Sequence, residues 1–243
     1  MTMEAIDPEA GAILLVDKPL TWTSFNVVTK LRGALRKLCG HKVKIGHAGT
    51  LDPLATGLLI IGTGKMTKLL PGLTGQDKEY LATIRLGETT ASYDAETTAL
   101  ESLPWEHISE AQVRRTLDAF LGEIQQRPPN FSAKRFQGER GYKLSRWGEP
   151  VEMVHVPVRI DALELLGIDG RDIRLRVACS KGTYIRSLAH DIGQALGCGA
   201  HLYGLRRTRS GALSIEEART VEQWSMWLDE WAKGRQTTDV HNT

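Results

Sequence analysis

Cysteine is scarce in this 243-residue chain: Cys39, Cys179 and Cys198 form an odd set of three without a C-x-x-C pair. That suits a reducing compartment, expected to be the cytoplasm, better than a disulfide framework. Long apolar runs are missing too. Ile13 to Val16 and Leu58 to Ile61 hold four aliphatic residues each, against the ~20 that cross a bilayer and the ~7–15 of a signal peptide. No membrane partner is expected. Metal-ligand spacing is also lacking, because Cys39, His41 and His47, or Cys198 and His201, match no closed zinc pattern. Gly62-Thr63-Gly64-Lys65 lacks the earlier glycine of a phosphate loop, and Arg209-Ser210-Gly211 makes no nucleophile elbow. There is no internal repeat and no low-complexity linker. What remains, 41% hydrophobic and 25% charged residues, is the composition of an ordinary globular protein.

Net charge is only +2, yet its distribution is uneven. Thr29 to His47 holds six basic residues (Lys30, Arg32, Arg36, Lys37, Lys42, Lys44) and no acid. Arg127 to Arg146 holds six more against Glu139 alone, interleaved with Phe131, Phe136 and Tyr142 and followed by Trp147. Arg206, Arg207 and Arg209 make a third cluster, while acids gather from Asp94 to Glu123 and after Ile215. Cations that neutralise phosphates beside rings that stack on bases suit a nucleic-acid partner. Taken one at a time, each cluster is equally a solvated surface.

The periodicities predict an α+β protein with a mixed or antiparallel sheet. Ala12 to Val16 reads as a buried strand. Ser24 reads as the N-cap of a helix carrying Val27, Val28, Leu31 and Leu35, ended by Gly40. Tyr80, Ala82, Ile84 and Leu86 share one face of a strand, and Ser109 with Gln112 makes a capping box for the next helix. Residues 123–150 have no sustained period and read as a long loop or small insertion. Two β-rich runs meet at Asp169-Gly170 as a hairpin, and a Lys181-Gly182 turn starts a helix with Ile185, Leu188, Ala189 and Ile192 on one stripe.

The chemistry concentrates in Gly46-His47-Ala48-Gly49-Thr50-Leu51-Asp52-Pro53-Leu54-Ala55-Thr56-Gly57. Its two leading glycines permit a tight backbone path. Pro53 suits the first position of a helix, which would make Asp52 an N-cap held anionic by helix N–H groups and dipole. An ionised carboxylate is what a nucleophile requires; by itself, Asp-Pro does no more than start a helix. The whole run resembles the Gly-His-x-Gly-x-Leu-Asp-Pro-x-Ala-x-Gly signature of the TruB family of tRNA pseudouridine synthases. Asp17-Lys18-Pro19, Lys78-Glu79-Tyr80, Pro128 to Lys134 with Gly138, Arg140 and Tyr142, Cys179 to Arg186, and Leu205 to Gly211 follow in the order of that family. The resemblance spans about Gly11 to Ala218.

This resemblance implies the pseudouridine synthase fold, with a central mixed, largely antiparallel sheet flanked by helices, and an isomerase of uridine 55 in the TψC loop of tRNA, needing no cofactor or metal. It implies Asp52 as nucleophile, Tyr80 stacking on the flipped uracil, Arg186 pairing with the Asp52 carboxylate and lowering its pKa, and Leu205 walling the pocket. Tyr184 would lie beside the base and His47 would enter the T-loop, with Lys18, Lys134 and Arg140 among the RNA contacts. Taken singly, Tyr80, Tyr184 and Leu205 are equally core residues, and His47 a loop histidine. Flipping costs a few kcal/mol, which an aromatic ring partly returns. Three routes stay open for Asp52: attack on the uracil ring, attack on the sugar, or removal of a sugar proton to give a glycal.

The chain is expected to be one catalytic domain over 1–243, with residues 123–150 as an insertion gripping the T-arm and 215–243 as a short helix and tail in place of a C-terminal PUA domain. Trp224, Trp227 and Trp231 at helical spacing would pack back on the catalytic domain. It is expected to act as a monomer without a protein partner. Two rival readings are a non-catalytic tRNA-binding or tRNA-folding protein, and a guide-dependent synthase acting on other RNA.

Overall fold

The computed structural model describes residues 7–129, 135–136, 139–140 and 154–239. Along the chain run β1 (Ile13–Lys18), α1 (Ser24–Cys39), β2 (Ile45–Ala48), β3 (Ala55–Thr63), α2 (Leu70–Thr74), β4 (Lys78–Leu86), β5 (Glu88–Thr90) and β6 (Ala99–Ser102). Then come α3 (Glu110–Asp118), β7 (Gly122–Gln126), β8 (Arg135–Phe136), β9 (Glu139–Arg140), β10 (Val156–Asp169) and β11 (Asp172–Cys179). The chain closes with α4 (Ile185–Leu196), β12 (Ala200–Ser210), β13 (Leu213–Ser214), β14 (Arg219–Thr220) and α5 (Val221–Asp239). These elements form two compact units, a terminal unit of residues 1–76 and 206–243 and a middle unit of residues 77–205.

In the terminal unit the strand order is β14-β1-β3-β12, with β2 also on β3 and β13 on β12. β1 pairs parallel with β14 and antiparallel with β3. Leu58, Leu59, Ile60 and Ile61 of β3 are all fully buried, so both faces of this strand are covered, as its unbroken aliphatic run requires. One face packs Leu15, Leu58 and Ile60 against Leu70 and Leu73 of α2. Burying each such side chain contributes about 1.5–3 kcal/mol. α1 buries Val27, Val28, Leu31 and Leu35 and packs against α5. Its N-cap is Thr23, in a capping box with Asn26, rather than Ser24. In α5 the Trp224 indole donates to the Leu15 carbonyl at 2.8 Å and meets Trp227 edge to face, so the C-terminal helix does fold back onto this core.

In the middle unit the strand order is β12-β4-β11-β10-β7. β10 and β11 form the expected hairpin, with Asp169 opposite Asp172 and Gly170 in the left-handed region between them (φ 54°). Tyr80, Ala82, Ile84 and Leu86 of β4 share the buried face with Ile173, Leu175, Val177 and Cys179 of β11. α4 covers that core through Ile185, Leu188, Ala189 and Ile192 and ends at Gly197. The segment read as a loop from Glu123 instead begins as β7, antiparallel to β10. β8 and β9 pair as a short two-stranded piece; the rest of 130–153 lies outside the described residues.

Candidate active site

Asp52 is not a helix N-cap. The Ala55 N–H donates to the Asp52 carbonyl at 3.0 Å, closing a turn that runs directly into β3. The fixed φ of Pro53 suits the second position of such a turn as well as the start of a helix. Pairing of Leu58–Ile61 with β1 decides in favour of the strand. Asp52 therefore starts no helix of its own whose N–H groups could hold the carboxylate anionic. Asp52 is half-buried, open to a substrate yet partly shielded from water.

Three braces hold the turn. The Ser24 hydroxyl accepts from the Leu51 N–H at 2.8 Å and reaches the Leu51 carbonyl at 3.2 Å. Thr21, in the left-handed region (φ 69°), donates its N–H to the Pro53 carbonyl at 2.9 Å. Arg207, 2% exposed, donates Nε to the Leu58 carbonyl at 2.7 Å and Nη2 to the Gly49 carbonyl at 3.2 Å. Gly57 is obligatory here: its φ is 98°, and a Cβ would lie 2.3 Å from the Arg207 carbonyl oxygen. Ser24→Ala strands the buried Leu51 N–H, so a loss of about 1–3 kcal/mol is expected in urea unfolding. Unchanged stability would show that water replaces the hydroxyl.

Lys18, expected among the RNA contacts, is fully buried. Its Nζ donates to the carbonyls of Pro19 (2.9 Å) and Trp22 (2.5 Å). Burial pushes its pKa down to about 8, against the opposing pull of the Asp52 charge and with further help from Arg207. Lys18 is thus a cation beside Asp52 rather than a surface grip on phosphate. His47 sits on β2 with its Nδ1 buried and without a hydrogen-bond partner among the described residues. Burial, then the Arg207 charge, lower its pKa, and the Gly49 backbone only partly offsets them. The imidazole is neutral at neutral pH. Of the third basic cluster, Arg206 is engaged bidentately by Asp17, Arg207 is interior, and Arg209 is exposed.

The middle unit holds the other candidates. Tyr80 is 9% exposed, opposite Val177 in the sheet. Tyr184 is the N-cap residue of α4; its N–H and carbonyl are both bound by the side-chain amide of the fully buried Gln126 (2.8 and 3.0 Å). Arg186 is buried and pairs with Asp94, itself 3% exposed, at 3.5 Å, and with the Ser92 carbonyl at 3.4 Å. Leu205 on β12 is half-exposed. Lys134 and the side chain of Arg140 lie outside the described residues.

Lys18, His47 and Asp52 are therefore gathered in the terminal unit, with Tyr80, Tyr184, Arg186 and Leu205 in the middle unit. Sequence reading missed Asp94, which it counted as one acid of a surface stretch. It also missed Gln126, and the roles of Ser24 and Arg207. Local pattern carries no signal for any of the four, because each acts on a partner distant in sequence.

The profile of the TruB family pseudouridylate synthase N-terminal domain matches residues 36–185, and that of the tRNA pseudouridylate synthase B C-terminal domain matches residues 186–239. The tRNA pseudouridine synthase B of Parabacteroides distasonis is 52% identical over 222 residues, covering 91% of this chain and 94% of that protein. The protein of the same name from Flavobacterium johnsoniae is 50% identical, covering 86% and 92%. Among solved structures, a Cbf5-Nop10-Gar1 complex shows a chain 32% identical, with a TM-score of 0.67 over 91% of this chain and 56% of that one. An archaeal box H/ACA sRNP Nop10-Cbf5 complex gives 30% and 0.65, with 92% and 55% coverage. The fold is that of pseudouridine synthases, an α+β architecture on a mixed sheet, as expected. With two profiles spanning most of its length and near-full-length relatives at half identity, the chain belongs to the TruB family of pseudouridylate synthases.

Proposed function

We propose that this enzyme isomerises uridine to pseudouridine in tRNA, at uridine 55 of the TψC loop, with Asp52 as the nucleophile. The observation that carries the reading is the half-buried Asp52 on a thrice-braced turn beside the buried Lys18 cation. Its setting is a chain 52% identical to a protein named tRNA pseudouridine synthase B. The N1–C1′ bond breaks and a C5–C1′ bond forms; C5 gives up its proton and N1 gains one, so the reaction is balanced without a co-reactant. Tyr80 offers a ring on which the displaced uracil stacks, and Arg186 and Tyr184 serve the same step. Neutral His47 inserts among the T-loop bases. Exposed Lys30, Arg36, Lys37, Lys42 and Lys44 supply cations for phosphates, and Lys134 and Arg140 extend the grip on the T-arm. The protein acts as a cytoplasmic monomer.

Release of tritium from 5-tritiated uridine in a tRNA transcript tests the activity. A bare T-arm hairpin, with neither guide RNA nor added protein, separates this reading from a guide-dependent one. Identity to proteins named tRNA pseudouridine synthase B, 49–52% for several, against 30–32% for chains of the Cbf5 complexes, favours the hairpin as substrate.

Lys18 gives a pH prediction. Its proton is lost as pH rises through about 8, removing the cation that faces Asp52, so turnover is expected to fall on that alkaline limb. Stability moves the other way. An unfolded lysine titrates near ~10.4, so between the two values the unfolded chain binds more protons and the folded state gains as pH rises. Lys18→Met should abolish both trends and lower turnover at neutral pH by about tenfold or more, the scale of one lost charge interaction at close range. A wild-type rate that stays level from pH 7 to 10 would remove this role.

A further inference from the structure

We infer that Tyr93 and His190 form a clamp that positions Arg186, a role that rests on the assignment of Arg186 to the catalytic set. Tyr93 occupies the left-handed region (φ 62°), where a bulky residue is strained and glycine would be at ease. Its neighbours on either side both bind the guanidinium, Ser92 through its carbonyl and Asp94 through its carboxylate. The short segment is pinned elsewhere as well. Leu202 donates its N–H to the Tyr93 carbonyl at 2.9 Å, the Thr90 hydroxyl donates to the Asp94 carbonyl at 2.7 Å, and Glu96 donates its N–H to the Asp94 carboxylate at 3.0 Å.

The Tyr93 side chain lies flat on His190, with ring centroids 3.9 Å apart and planes 12° apart. His190 stands four residues beyond Arg186 on α4, one turn along the same side of the helix. One helix therefore provides both the guanidinium and the ring, and the 92–94 segment engages both. The Nδ1 of His190 is buried with no hydrogen-bond partner among the described residues. Burial, with the Arg127 charge, lowers its pKa, so the neutral ring contributes its face rather than a hydrogen bond. Stacking of this kind offsets part of the strain it helps to hold. A tyrosine in place of the strain-free glycine is explained if the ring is needed.

The test uses the full chain with Tyr93→Phe, Tyr93→Gly, His190→Ala and the Tyr93→Gly/His190→Ala double variant. The ¹⁵N order parameter of the Arg186 guanidinium is expected to fall in Tyr93→Gly and His190→Ala and to stay at the natural value in Tyr93→Phe. On a T-arm hairpin the first two should lower kcat by about tenfold with little change in KM, as a misplaced catalytic group does. The double variant should be no worse than the poorer single. Tyr93→Gly removes backbone strain, so its unfolding midpoint should not drop in step with kcat; a merely structural ring would move both together. An Arg186 guanidinium equally rigid in all variants, or kcat losses that track the midpoint, overturns the clamp. Turnover by Asp52→Asn would sink the proposed reaction, yet the order parameter would still decide the clamp.

Discussion

Asp52→Asn is expected to lose tritium release from 5-tritiated uridine by on the order of ten-thousandfold or more, the scale seen when a group at the reacting centre is removed. The carboxamide matches the carboxylate in shape, and the turn is closed by the backbone carbonyl of residue 52, not its side chain. Ser24, Thr21 and Arg207 brace only main-chain atoms around it. Folding and RNA affinity should therefore persist while chemistry stops. All three routes open to Asp52 need its negative charge, so the variant does not discriminate among them, but each predicts the same loss. Turnover within tenfold of the natural chain would end the mechanism.

Arg186→Met is expected to cost about 3–5 kcal/mol in unfolding free energy, because it leaves the carboxylate of Asp94 buried without its cation. Turnover should fall with it. Adding Asp94→Asn removes the stranded charge, so the double variant Arg186→Met/Asp94→Asn should recover much of the stability while remaining inactive. That separation identifies what the pair does: Asp94 holds the guanidinium in place, and the guanidinium serves the reaction. Equal recovery of stability and turnover in the double variant would make the pair purely architectural, and urea unfolding alongside tritium release reads both quantities.

Much of the fold was legible where the signal is local. Asp169-Gly170 marked a hairpin because a tight turn needs a residue at ease with positive φ, and Gly170 has it. Ser109 and Gln112 marked the start of α3 because both members of a capping box lie within one helical turn. The alternation in β4 showed which face is buried. At Asp52 the same method gave the wrong local structure, a helix start where the chain makes a turn into β3. Proline starts helices and turns alike, and only the distant strand β1 distinguishes them.

By itself the sequence determined the family, through a motif in which every required residue type occurs at its required spacing. It also determined the alternation of buried and wet faces, because periodicity reports burial directly. Only the tertiary structure decided the electrostatics around those residues: that Lys18 is interior and its pKa pushed down to about 8 by burial, that Arg207 braces the Leu58 and Gly49 carbonyls, and that Arg186 leans on Asp94. The physical reason is that charge interaction and desolvation depend on distance through space and on burial, and for residues far apart along the chain neither quantity exists until the chain has folded.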